Sequence, residues 1–305
     1  MEQVNEKTDR FSPKLKLAAH TQVSDFINGK QMFPINVEIS LTGLCNAQCP
    51  WCFYKGHEIK TEIDYEQLTQ NISAMKSVGV KSITWTGGGE PTLYSRFKEL
   101  TSFVYKMNIK QGLITNGLAS INYDPTLFEW IRVSKTNLPL NKKNILSLRA
   151  CKTLGICINY IGNDNDVKEA LKIGEEVNVN YVQVRPALNP NGETTHIEPP
   201  NIKHPLLLCT QYKFEDCQHK QEYKKCYGYH FCPFIWHTGE VNVCGYMREK
   251  EKYILGNLYE DGFINIMNNA PKHVDVISAC QVCCKNDQTN QFINDLKELK
   301  DVDFP

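Results

Sequence analysis

Between residues 37 and 185 the chain passes five times from a short apolar run into a segment of helical spacing and ends on a sixth such run, and that alternation constrains its fold most. Val37–Leu41, Lys81–Thr86, Gln111–Thr115, Ile131–Ser134, Ile156–Ile161 and Tyr181–Arg185 read as strands. Helices are expected from Asp64 to about Gly79, over Ser95–Met107, briefly over Pro125–Trp130, over Lys143–Leu154 and over Asp166–Val177. Asp64 stands three residues before Gln67, a capping-box pattern, and Leu68, Ile72 and Met75 follow on one helical face. Strand-then-helix units in succession imply parallel strands, here six, curved into an incomplete barrel. Ligands of such sheets gather at the carboxyl ends of the strands, so the loops there are where chemistry is expected.

Cys45, Cys49 and Cys52 follow the first strand as C-x3-C-x-aromatic-C, with Trp51 as the aromatic residue. A closed four-iron cluster takes four cysteines, so three leave one iron open to a small molecule. A zinc knuckle or a structural clip is the other use of such a loop. Zinc wants a second cysteine pair to complete its tetrahedron, and the first half of the chain offers none nearby. The second strand is followed by Gly87-Gly88-Gly89-Glu90-Pro91. Glycines admit a ligand close to the backbone, and a carboxylate beside them can hold a cationic group. A mobile turn is the plain alternative, and the spacing is neither a Rossmann nor a P-loop fingerprint.

Lys plus Arg and Asp plus Glu are 34 each, so a zero net charge gives no electrostatic case for nucleic acid or anionic membrane partners. No run of 18 apolar residues occurs and the first residues lack an apolar core, so a cytoplasmic protein without signal peptide or membrane helix is expected. The 13 cysteines are clumped: three at 45 to 52, then Cys151 and Cys157, then eight from Cys209 to Cys284. Exported, these would read as a disulfide framework; in a cytosol they read as metal sites, which is the expectation here.

Together the cysteine loop and Gly88-Gly89-Glu90-Pro91 resemble the radical S-adenosylmethionine (radical SAM) superfamily. The resemblance implies a partial (β/α)6 barrel in which Cys45, Cys49 and Cys52 hold a 4Fe–4S cluster whose fourth iron is chelated by SAM. Trp51 matches the family's aromatic position and is implied as a cofactor-binding residue, and Gly88, Gly89 and Glu90 are implied to contact the SAM amino group. Asn116 in Thr115-Asn116-Gly117, Ser134 on the fourth strand, Asn159 on the fifth and Arg185 on the sixth are further candidates for contact with SAM or substrate. Gln183 shares the face of Arg185 by strand alternation. The stretch after Ser134 is shorter than the family pattern, so the usual downstream arginine has no assigned counterpart.

The boundaries expected are an N-terminal arm over 1–35, a core over 36–187, a Pro/Asn/Gly-rich linker over 188–205, a cysteine-rich domain over 206–289 and a charged tail over 290–305. Cys226-x17-Cys244 with Cys280-x2-Cys283 supplies four thiolates, enough for a second cluster or a zinc site, and Gly239 marks a hairpin before Cys244. This part resembles the twitch domain, the short relative of the SPASM domain, and implies an auxiliary 4Fe–4S cluster on Cys226, Cys244, Cys280 and Cys283. Cys232 and Cys284 are surplus: either replaces Cys226 or Cys283 as ligand, donates a hydrogen atom, or is a buried thiol. Cys209 and Cys217 have no identified partners, Cys151 and Cys157 are expected in the core, and His230 and His237 at the surface.

The function implied is reductive SAM cleavage to a 5′-deoxyadenosyl radical that takes a hydrogen atom from a small molecule. An auxiliary cluster favours oxidation of a sugar- or cyclitol-like alcohol, with epimerisation, redox-neutral rearrangement and peptide modification as alternatives. A flavodoxin or ferredoxin is the expected electron donor. A non-catalytic zinc or iron–sulfur module is the competing class, and it has no need of Gly88–Pro91.

Overall fold

A computed structural model describes residues 12–52, 54, 60–187, 197–209, 214, 223–247, 250–275 and 286–299. All six expected strands are present: β1 (Asn36–Ser40), β2 (Ser82–Thr86), β3 (Lys110–Thr115), β4 (Trp130–Ser134), β5 (Leu154–Tyr160) and β6 (Tyr181–Pro186). They pair in sequence order and in parallel, and β7 (Leu207–Cys209) continues the series. This is the mixed α/β architecture with a large parallel sheet that the alternation implied.

The helices are α1 (Pro13–Ala18), α2 (Thr21–Ile27), α3 (Tyr65–Ser77), α4 (Phe97–Lys106), α5 (Lys142–Ser147) and α6 (Asp164–Val177). Asp64 caps α3 by accepting the Gln67 N–H at 2.8 Å, and Leu68, Ile72 and Met75 are fully buried. Three expectations need correction. The segment after β4 forms only α5 and a single 3-10 turn at Leu148–Ala150, because Leu154 already belongs to β5. Pro125–Leu127 is one 3-10 turn, which the Asp124 carboxylate closes by accepting the Thr126 N–H. The N-terminal arm, whose polar sequence carries no helical period, holds two helices over Pro13–Ala18 and Thr21–Ile27, since Leu17 and Val23 bury against Tyr227, Phe231 and Ile293, partners more than two hundred residues away in the chain.

Strand alternation sorts the sheet into two faces. Val37, Ile39, Ile83, Trp85, Leu113, Ile131, Val133, Ile156, Ile158, Val182 and Val184 pack in the main core. Each such buried aliphatic or aromatic side chain contributes roughly 1.5–3 kcal/mol. The intervening residues are mostly polar: Glu38 and Ser40, Thr84 and Thr86, Arg132 and Ser134, Asn159, Gln183 and Arg185. That polar face and the described residues of the loops after β1 to β4 carry the candidate site.

Further along lie β8 (Lys225–Cys226), α7 (Gly228–Phe231), β9 (Phe234–Ile235), β10 (Glu240–Asn242), β11 (Ile254–Asn257), α8 (Phe263–Asn269), β12 (Val274–Asp275) and α9 (Asp287–Glu298). β9 joins the free edge of β1 in parallel, with Glu38 opposite Phe234, and β10 and β11 extend the sheet antiparallel. The β9–β10 hairpin turns at Gly239, whose φ of +85° suits glycine. β8 and β12 form a separate two-stranded ladder. Among the described residues no helix is long and apolar enough to cross a membrane.

Candidate active site

The cysteine loop leaves β1 and is clamped on both sides. On one, Gly43 donates its N–H to the Thr61 carbonyl at 3.0 Å, and Ile63 donates to Leu41 at 2.9 Å. On the other, Gly89 and Glu90 donate their N–H groups to the carbonyls of Thr42 (2.9 Å) and Leu44 (2.7 Å). Gly88 donates to the Ser40 hydroxyl at 2.9 Å. A Cβ on Gly89 would fall 2.0 Å from the Leu44 carbonyl oxygen, and one on Gly88 would fall 2.8 Å from the Tyr54 ring. The glycines therefore let the cysteine loop and Tyr54 approach the backbone of this turn.

Glu90 is buried and takes four protein donors. One carboxylate oxygen, Oε1, accepts the Thr115 hydroxyl (2.6 Å), the Thr92 hydroxyl (2.7 Å) and the Thr92 N–H (3.2 Å). The other, Oε2, accepts the Asn116 N–H at 2.7 Å and keeps acceptor capacity. Burial pushes its carboxyl above the ordinary range, while the hydrogen bonds from Thr115, Asn116 and Thr92 pull the other way. Asn116 in turn reaches the cysteine loop, donating to Asn46 Oδ1 at 2.7 Å with Cys45 Sγ 3.8 Å away. Cys45, Glu90 and Asn116, chosen from three separate motifs, are thus joined in one chain of contacts.

Cys45 is exposed and Cys49 and Cys52 are partly buried. Although Cys45 is exposed as a residue, protein atoms packed around its sulfur shield it from water and raise the thiol, opposed by an N–H from Ala47, with Glu90, Cys52 and Cys49 adding to the rise. Burial also raises Cys49, opposed by the N–H of Asn137, while Cys52 raises it and Lys135 lowers it. The three thiols therefore share one electrostatic neighbourhood. No three ligating side chains among the described residues converge around a single ion. A four-iron cube asks instead for thiolates set apart at its corners, and a loop of soft sulfur donors with N–H groups aimed at two of them fits that group.

Trp51 is half-buried in the same loop, and Ser134 ends β4 half-buried. Asn159 and Arg185 are brought together, the guanidinium Nε donating to Asn159 Oδ1 at 2.9 Å. Gln183 lies on the same face and accepts from Arg132 at 2.8 Å. Of the second cysteine group, Cys226 Sγ lies 3.3 Å from Asn290 Nδ2. Cys232 Sγ accepts from Asn36 Nδ2 at 3.1 Å, beside Ser82 and Thr84, which donate to Asn36 Oδ1. Because Asn242 pairs with Phe234, Cys244 and Cys232 lie two residues beyond that pair at the same end of the hairpin. Cys217, Cys280, Cys283 and Cys284 lie outside the described residues.

Sequence reasoning missed Lys135, Tyr54 and Trp236, and misplaced His237. Lys135 is buried, pairs with Asp166 (3.3 Å) and Glu169 (3.4 Å), and donates to the carbonyls of Thr136 and Leu138, holding the loop that carries Asn137 to Cys49. Tyr54 stacks on Trp236 with ring centroids 5.6 Å apart, and its hydroxyl meets His237 Nε2 at 3.1 Å. His237 is therefore buried, not at the surface as expected: the hairpin folds it against the cysteine loop. His230 is also partly buried, and burial holds it down to about 4.

Residues 39–135 match the Radical SAM superfamily model, a span running from β1 through the cysteine loop to the end of β4. Over these residues the chain carries a radical SAM domain. It is 22% identical over 178 residues to an S-adenosylmethionine-dependent nucleotide dehydratase of Flammeovirga pacifica, covering 55% of this chain and 59% of that protein. It is 32% identical over 81 residues to a tungsten-containing aldehyde ferredoxin oxidoreductase cofactor-modifying protein of Pyrococcus furiosus, covering 26% of this chain and 23% of that one. The chain spans only 55% to 59% of the length of the first curated relatives it matches. Among solved structures it resembles Streptococcus suis SuiB bound to precursor peptide SuiA, with a TM-score of 0.60 at 14% identity over 77% of this chain and 64% of that one. The likeness to SuiB is one of fold: a radical SAM barrel-like arrangement of strands and helices.

Proposed function

We propose that this chain is a radical SAM enzyme that takes a hydrogen atom from a small molecule and oxidises it, with a sugar- or cyclitol-like alcohol as the leading substrate class. The observation that carries the reading is the joining of the cysteine loop to Gly88–Glu90 and Asn116 at the carboxyl end of the parallel sheet. Cys45, Cys49 and Cys52 would hold a 4Fe–4S cluster, and Cys226, Cys244, Cys280 and Cys283 an auxiliary one. When bound, the first cluster with SAM supplies a 5′-deoxyadenosyl radical after one-electron reduction, and the second offers an acceptor for the electron left on the substrate.

The protein's part is orientation and exclusion. The free acceptor capacity of Glu90 Oε2 is suited to an ammonium, and Ser134, Asn159 and Arg185 offer polar groups along the rim of β4 to β6. A reductant such as flavodoxin or ferredoxin would deliver the electron. A purely structural zinc or iron–sulfur module would not call for the bonded network around Glu90, and this favours the enzyme.

The experiment is anaerobic reconstitution with iron and sulfide, iron and zinc counting, and assay of SAM cleavage in the full chain and in the triple Cys45→Ala, Cys49→Ala, Cys52→Ala variant. About eight irons in the parent chain, about half that in the variant and no 5′-deoxyadenosine from the variant are expected. Zinc as the only metal, or SAM cleavage surviving the triple change, would sink the reading. Metabolites of a native extract consumed only with reduced enzyme and SAM together would name the substrate. An unchanged oxidation state in the product would move the reaction to epimerisation or rearrangement.

A further inference from the structure

The polar face of the sheet carries a guanidinium that is oriented but, among the described residues, not neutralised. Arg132 projects from β4 and donates from one Nη to Gln183 Oε1 at 2.8 Å, reaching diagonally across β5. Its Cζ lies 5.3 Å from the centre of the Trp130 ring. Among the described residues no carboxylate forms an ion pair with it, whereas Lys135, three residues along, has two. Gln183 is 3% exposed, so the amide that aims Arg132 is itself fixed in the protein. An amide oxygen orients a guanidinium without cancelling its charge, and one of five N–H donors is spent on it. A partly buried cation held this way is matched to an oxyanion, which the planar fork can grip with two parallel hydrogen bonds.

A second polar group lies on the same face, five strand pairings away from Trp130. Asn242 is fully buried, and neither atom of its side-chain amide has a hydrogen-bond partner among the described residues. One continuous row of strand partners joins it to Trp130, through Phe234, Glu38, Thr84 and Gly112. An unmet amide of this kind costs on the order of 1–3 kcal/mol unless something polar is held against it. Arg132 also lies two residues closer to the strand start than Ser134, roughly 6–7 Å deeper than the rim.

We propose that Arg132, aimed by Gln183 and backed by Trp130, is the anion-binding subsite for the substrate, which therefore carries a carboxylate or phosphate group. The inference rests on the radical SAM reading above, since the anion is the hydrogen donor's. A phosphorylated and a carboxylated substrate share this chemistry, and the choice of probe separates them.

The test is calorimetric titration of the anaerobically reconstituted full chain with inorganic phosphate and, separately, malonate, alongside titration with SAM. Arg132→Gln and Arg132→Lys are the variants. Binding of either anion by the parent chain, weakened about tenfold or more by Arg132→Gln beyond any change in SAM affinity and partly kept by Arg132→Lys, is expected. Preference for phosphate or for malonate then assigns the substrate's group. Failure of both anions to bind the parent chain, or equal binding by Arg132→Gln, overturns the proposal. So does a loss of SAM affinity as large as the loss of anion affinity, which would put Arg132 at the cofactor. Should Arg132→Gln not fold, a lysine variant binding neither anion less tightly than the parent also overturns it. Anion binding that depends on Arg132 in a protein holding no iron–sulfur cluster would keep the subsite and remove the radical SAM reading.

Discussion

The hydroxyl of Tyr54 lies 3.1 Å from Nε2 of His237, 183 residues further along the chain. With Trp236 stacked on the Tyr54 ring, this contact seats the cysteine loop on the β9–β10 hairpin, and Cys52 packs against the same aromatic group. Tyr54→Phe keeps the stack and loses the hydrogen bond, so a loss of about 1 kcal/mol in urea unfolding is expected. Trp236→Ala removes the stack, and iron should leave the reconstituted protein to a chelator several-fold faster than from the parent. Equal release rates would show that the hairpin does not restrain the loop.

Lys135→Met should cost about 1–3 kcal/mol of stability in the metal-free protein. The side chain is 7% exposed, but Asp166 and Glu169 are 25% and 33% exposed, and their access to water trims the loss expected of a fully buried pair. The change also frees the loop bearing Asn137 from its anchor near Cys49. A shift in the electron paramagnetic resonance spectrum of the reduced cluster should accompany the stability loss, and the urea midpoint measures the first effect alone.

Glu90→Gln meets a carboxylate saturated at one oxygen. The glutamine carbonyl can keep the Thr92 and Thr115 donors, but its NH2 then faces the Asn116 N–H, donor against donor. A destabilisation of about 1–3 kcal/mol is expected. SAM affinity should also fall, on the order of tenfold or more, if the spare capacity of Oε2 serves the ammonium. Thermal melts and SAM titration separate the two, and an unchanged SAM affinity would leave Glu90 as a bolt between two loops.

Asn242→Leu has the opposite sign. It replaces a buried amide without partners by an apolar group of similar size, so the ligand-free protein should gain about 1–2 kcal/mol and melt higher. A lower melting temperature would mean that the amide is satisfied in solution, for instance by buried water.

The barrel strands were legible because each is a short apolar run bounded by polar turns, and Asp64 capping Gln67 shows how far local chemistry reaches. Cys45, Gly88, Glu90 and Asn116 were legible as well, since their motifs follow consecutive strands of a parallel sheet and so arrive at one end of it. What escaped depends on contacts remote in sequence. α1 and α2 have weak local signals and are held by Tyr227, Phe231 and Ile293. His237 carries no mark of burial until β9 pairs with β1, and Arg132 looks like any strand arginine until its lack of a carboxylate partner among the described residues is seen.

β9 is two residues long, yet with the bonds from Ile35 to Phe231 and from Glu38 to Pro233 it covers the hydrogen-bonding edge of β1. A chain cut after Cys209 would leave that edge open beside Ile39 and Trp85, the kind of unpaired strand that recruits another copy of itself. Such a truncated barrel is expected to collect in insoluble aggregates on expression, while the full chain stays dispersed. The hairpin thus acts as a cap on a sticky border, and any shortened version of this protein needs charges or a proline along β1 to do the same.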